Sequence, residues 1–164
     1  MPATDLSSLD RAASRLLASD DTRRIIERLR GEIGQAIEPF VWASLDLEPA
    51  RDLLPVAIQS AWIFVLREGV WSGAHFHPNS VQHMIVVEGR GRSRIAGVER
   101  VMAGFGDERK TSGQRWQVIP ERIPHEFLPE GSDMVVISFH TCAAHELEEI
   151  EASTGRSRLY EPRG

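Results

Sequence analysis

At 164 residues with a formal net charge of −5, the chain is sized for one domain with its own core and too short for two comfortable ones. The acidic balance excludes non-specific nucleic-acid binding, which needs a clustered basic face to neutralise phosphates. The apolar and charged fractions, 41% and 26%, belong to an ordinary globular protein and exclude disordered and fibrous classes.

Residues 1–39 read as a helical arm. Leu6, Leu9, Ala13, Leu16 and Leu17 make the apolar stripe of a first helix from about Leu6 to Leu17. Ile25, Ile26, Leu29, Ile33 and Ile37 make the stripe of a second, starting near Thr22. Asp20 and Asp21 offer N-cap chemistry for it, and Pro39 is its stop. An apolar stripe of this kind needs a surface to cover, either the rest of the chain or a second copy, and a homodimer is expected. The first residues carry acids and arginines with no continuous apolar segment, so no signal peptide is read and the expected location is the cytoplasm.

After Pro39 the hydrophobic period changes to two. Strand-like runs lie at 40–47, 56–66, 82–88, 92–95, 116–119, 125–128 and 134–140. Turn signals separate them, among them Glu88-Gly89, Ala96-Gly97 and Pro129-Glu130-Gly131. Many short strands at near-even spacing predict an antiparallel sandwich or barrel over 40–142, not a βαβ fold. The acid-rich tail, 143–164, reads as helical, with a short exposed helix over 143–151. Arg90, Arg92 and Arg94 alternate and so share one face; with Arg100 they read as a solvated outer surface. The apolar stretch around 61–66 is too short to span a bilayer, so no membrane partner is expected. The single cysteine, Cys142, cannot form an internal disulfide and reads as a small buried apolar group.

The chemistry concentrates in 69–89, GVWSGAHFHPNSVQHMIVVEG. His75 and His77 are two apart, which on a strand puts both imidazoles on one face, as a divalent metal requires for its first two bonds. Pro78-Asn79-Ser80 then lets the chain reverse and return along 82–88 as the neighbouring strand, bringing Gln82 back toward the pair. His125 follows Pro120 and Pro124, which pin a turn just before a strand and preorganise a third ligand. Each has a plainer alternative. The first two could be exposed strand histidines, and His125 could be bonded to backbone. The Gln82 amide could bond a substrate or steady a ligand. His83, beside Gln82, should point to the opposite face. His140, ending the run 134–140, is a candidate general base or proton shuttle if it faces the cavity, and otherwise a core or rim histidine. Trp62, Phe64, Trp71, Phe76, Trp116 and Phe127 supply core, and those turned inward line an apolar pocket.

These residues resemble the first motif of the cupin family: a glycine, five residues, His-x-His, three or four residues, an acid, six residues and a glycine. Here it reads Gly69, His75, His77, Gln82 in the acid's place, and Gly89. The second motif matches at Pro120 and His125, with Arg122 where the family has glycine and Pro129 where it has asparagine. The resemblance covers about 56–140. It implies a double-stranded β-helix (the cupin jelly-roll barrel) with a divalent metal on the inner wall and often a dimer; with the N-terminal helical arm, which lies outside the resemblance, the expected fold is all-β with helical additions. The ligands it implies are His75, His77, His125 and Gln82, and the ion iron, manganese, nickel or zinc. Four neutral ligands leave the ion its full charge, strengthening it as a Lewis acid and weakening its retention. A glutamine here also resembles the cupin hydroxynitrile lyases, whose gap before the glutamine is one residue shorter. The expected function is a metal-dependent enzyme acting on a small oxygenated or anionic molecule, of dioxygenase, lyase or isomerase type. The alternative is a non-catalytic cupin that binds a small ligand.

Overall fold

The computed structural model describes residues 3–160; residues 1–2 of the arm and 161–164 of the tail lie outside them. Helix α1 (Leu6–Leu17) begins where the Asp5 carboxylate accepts from the backbone N–H groups of Ser7 and Ser8. Helix α2 (Asp20–Ile33) is capped by the Ser19 hydroxyl. Asp20 and Asp21, expected as caps, occupy its first turn, where negative charge suits the positive end of the helix dipole. The helix stops before Gly34, so Ile37 leaves the stripe and is fully exposed.

Among the described residues eleven strands follow, with one short α-helix and two 3-10 helices between them. They are β1 (Phe40–Leu45), β2 (Ser60–Leu66), β3 (His75–Phe76), β4 (Gln82–Glu88), β5 (Gly91–Ile95), β6 (Val98–Val101), α3 (Ser112–Arg115), β7 (Gln117–Ile119), β8 (His125–Pro129), β9 (Met134–His140), β10 (Glu148–Glu151) and β11 (Ser157–Leu159). One sheet has the order β1-β2-β9-β4-β7, the other β11-β10-β3-β8-β5-β6. Every paired strand is antiparallel, as the even spacing predicts.

The five-stranded sheet is buried on both faces. Outward, Ala43, Ile63, Ile85, Ile137 and Phe139 pack under Leu9, Leu16 and Leu29 of the helices. Inward, Trp62, Met84, Met134 and Val136 meet Phe127 of the other sheet. Two-sided burial explains why β2 reads as an unbroken apolar run where a half-exposed strand would alternate. It also answers what covers the arm: its stripe rests on the chain's own sheet.

Two further expectations change. Segment 82–88 does not pair beside the histidine strand. The chain crosses from β3 to the opposite sheet, where β4 lies between β9 and β7. Among its described residues the tail is not helical beyond a 3-10 turn at Ala144–Glu146. Its acidic segment becomes β10, which pairs with β3 and β11 and gives β3 the backbone partner its open edge lacks. Among the described residues no helix is long and apolar enough to cross a membrane.

One carboxylate ties arm to sheet. Asp10 of α1 accepts from Trp116 Nε1 at 2.7 Å, from Arg115 Nη2 at 2.9 Å and from the Ser112 hydroxyl. Arg115 and Trp116 are largely buried, so Asp10→Ala strands a cation and an indole N–H. It is expected to cost ~2–4 kcal/mol, read as a lower urea midpoint. A midpoint unchanged from wild type would mean the arm is held by its apolar stripe alone.

Candidate metal centre

Three histidines converge from one sheet onto the space between the two. His75 opens β3, His77 follows it, and His125 opens β8 directly across from His75 in the register. All three are buried, and their ring centroids lie 4.4 Å (His75–His125), 5.3 Å (His75–His77) and 5.4 Å (His77–His125) apart. The reversal that positions His125 contains Arg122, at φ +64°; it takes the left-handed conformation that the glycine of the resembled motif would favour, and its N–H donates to the His77 carbonyl at 2.9 Å.

Each ring is oriented by a backbone carbonyl. His75 Nδ1 lies 2.9 Å from the Gly73 oxygen, His77 Nδ1 2.7 Å from Glu148, and His125 Nδ1 2.8 Å from Ile123. A carbonyl can only accept, so each Nδ1 carries the hydrogen and each Nε2 keeps its lone pair. One nitrogen from each ring lies within 4.8 Å of the others. Burial holds His125 well below the usual imidazole range, with the neighbouring His75 and His77 adding to it. His77 is brought down to about 4, by burial first and then by His75. Neutral rings with convergent lone pairs are the state that binds a metal.

Gln82 faces the cluster from the opposite sheet. Its amide nitrogen donates to Ser138 Oγ at 3.0 Å. Among the described residues its Oε1 and His125 Nε2 are buried with no hydrogen-bond partner. Two orphaned acceptors beside two more lone pairs would be costly without a cation, and the donor set fits a borderline divalent ion.

His140 pairs across from Gln82, its ring centroid 5.1 Å from His77. It is fully buried and outside the pocket lining, with Nδ1 2.9 Å from Ser80 Oγ and Nε2 3.0 Å from Ser138 Oγ. Its hydrogen-bonded route to the site runs through Ser138 to Gln82, while its ring packs edge-on against that of His77. His83 points the other way, as expected, and its Nε2 meets the Thr4 hydroxyl under the arm.

The remaining pocket wall is apolar: Phe40, Phe64, Leu66, Met84, Phe127 and Val136, with Ser72 and Tyr160. Of the six aromatics singled out from sequence, Phe64 and Phe127 line it. Trp62 and Trp116 fill core, and Trp71 lies under the Arg94 guanidinium at 4.1 Å. Arg92 and Arg94 pair with Glu99, Glu126 and Glu130 on the outer face. Two residues at the site were not singled out from sequence. Glu149 of β10 lies with Oε2 3.6 Å from His75 Nε2, and the Tyr160 hydroxyl donates to that same oxygen. Burial and the Glu149 charge hold the Tyr160 phenol well above its ordinary range, so it remains a donor.

Two facing antiparallel sheets, helices on one of them and three buried histidines between define a cupin-fold protein. Among solved structures the chain is similar to a variant of salicylate 1,2-dioxygenase from Pseudoaminobacter salicylatoxidans: TM-score 0.57, 15% identity, 82% of this chain and 37% of that one. A second variant, in complex with gentisate, gives TM-score 0.57, 15% identity, 82% and 36%. The capsular polysaccharide assembling protein CapF from Staphylococcus aureus gives TM-score 0.44, 19% identity, 63% and 28%. The chain thus spans well under half the length of these proteins, and at such identities the likeness is one of fold. No protein-family model matches the sequence, and no curated protein matches it.

Proposed function

We propose that the protein is a metal-dependent cupin enzyme acting on a small oxygenated organic molecule, with His75, His77, His125 and Gln82 holding a divalent ion of iron, manganese, nickel or zinc. The observation that carries this is the set of three Nε2 lone pairs, each aimed by a carbonyl behind its ring. When bound, the ion supplies Lewis acidity to an oxygen atom of the substrate. Phe40, Phe64, Phe127 and Val136 receive the apolar body of that molecule and exclude water from it. The space open to the centre of a water-sized sphere is about 30 Å³, which restricts what enters to a small group. No arginine or lysine lines this pocket, so an oxygenated ligand suits it better than a strongly anionic one. His140 takes part at one remove, holding Ser138 and thereby the Gln82 amide.

The test is metal content of untagged protein by mass spectrometry, beside the His75→Ala/His125→Ala variant. About one equivalent in the wild type, lost in the variant, is the expected result. No metal in either after reconstitution would favour the second reading, a non-catalytic cupin that binds a small ligand in the same apolar pocket.

A further inference from the structure

The resembled motif places an acid where this chain has Gln82, so the histidine cluster lacks the negative charge that would help retain a dication. A carboxylate reaches the cluster from elsewhere. The β10–β3 register pairs Ile150 with Phe76 and Glu151 with His75. The next position, Glu149, therefore stands opposite His77 and turns its side chain to the face that bears the histidines. It is only 7% exposed. Its Oε2 is 3.6 Å from His75 Nε2, and His75 is its one partner at ion-pair distance among the described residues.

His75 Nδ1 already donates to Gly73, so in the neutral ring Nε2 turns a lone pair toward the Glu149 carboxylate, an arrangement that a cation between the two relieves. The lone pairs of His77 and His125 and the orphaned Gln82 oxygen face the same space, and together they select a metal ion. Glu149 stands beside His75 at the edge of the cluster: the ligand atoms that all lie within 4.8 Å of one another are those of His75, His77 and His125, and the carboxylate adds its charge from one side. The Tyr160 hydroxyl holds the carboxylate on the His75 side of the cluster.

We infer that Glu149 supplies the negative charge of the metal centre, replacing from β10 the carboxylate that position 82 lacks. The inference rests on the three-histidine reading above, and zinc(II) binding separates the two. Zinc affinity would be measured by chromophoric-chelator competition on full-length protein near pH 7.5. Glu149→Gln should weaken binding by ~10–100-fold. Glu149→Gln/Gln82→Glu returns the charge from the other sheet and should recover affinity to within about threefold of wild type. Gln82→Glu alone, which leaves Glu149 untouched, should bind tighter than wild type and keeps the question open to test if Glu149→Gln folds poorly. Wild-type affinity in a folded Glu149→Gln, with zinc still lost in His75→Ala/His125→Ala, overturns the inference and leaves the histidine site standing. A folded double variant that stays as weak as Glu149→Gln also overturns it. A wild-type protein that binds no zinc overturns both.

Discussion

In the presence of chelator, the protein is expected to lose several kcal/mol of stability between pH 7 and pH 4. His77 titrates at about 4 in the folded chain, against 6.5 for the ordinary group. Above pH 6.5 neither state holds the proton, and His77 adds no slope. Between 6.5 and about 4 the unfolded chain takes up a proton that the folded chain refuses, so stability falls as pH falls. Integrated over that window, His77 alone accounts for ~3 kcal/mol. His125 and His140 are also held well below the ordinary imidazole range, both chiefly by burial, and add to the loss in the same direction. Urea unfolding in chelator at pH 7.5 and pH 4.5 should show the midpoint falling by roughly 1–2 M. In His77→Gln the slope across that window should shrink by about one proton. A midpoint indifferent to pH would show that the histidines are hydrated, contrary to their burial.

Two glycines of the resembled motif should differ sharply in their tolerance of a methyl group. Gly89 sits at φ +82°, and a Cβ there would lie 2.7 Å from the Asp133 carbonyl oxygen and 3.2 Å from Met134 Cα. The left-handed backbone costs ~1–2 kcal/mol for alanine, and forcing the backbones apart adds ~1–3 kcal/mol. Gly89→Ala is therefore expected to destabilise by ~2–5 kcal/mol. Gly69 has φ +74° with nothing within 4 Å of its Cβ position, so Gly69→Ala should cost only the conformational ~1–2 kcal/mol. Equal losses in paired urea titrations would refute this account of why Gly89 is glycine.

The site was legible in sequence where its logic is local. His75 and His77 share a face because a strand repeats every two residues, and the prolines before His125 announce a rigid turn. The first helix was legible to its ends, since the leucine stripe runs from Leu6 to Leu17. Legibility fails where distant contacts decide. Residues 143–151 offer few strand formers, and their strand exists because β3 and β11 take up its backbone groups. Glu149 and Tyr160 are misplaced with it: nothing near them in sequence tells that position 149 stands beside His75. Ile37 and Val56 extend apolar runs by eye, yet both are fully exposed, because a run of hydrophobic residues does not mark where an element stops. The break at 78–80 was foreseen, but whether the chain returns beside its own strand or crosses between sheets depends on β7 and β9, which take up β4 on its two edges.

The carbonyl that aims His77 belongs to Glu148, 71 residues later in the chain. On the ribosome the three histidines emerge well before that carbonyl exists. A nascent chain that has reached β9 holds His75 and His125 against their own local carbonyls while the His77 ring is free to turn. Completion of the three-histidine cluster therefore waits for β10, which sets an order of events: sheets first, hairpin next, the oriented cluster last.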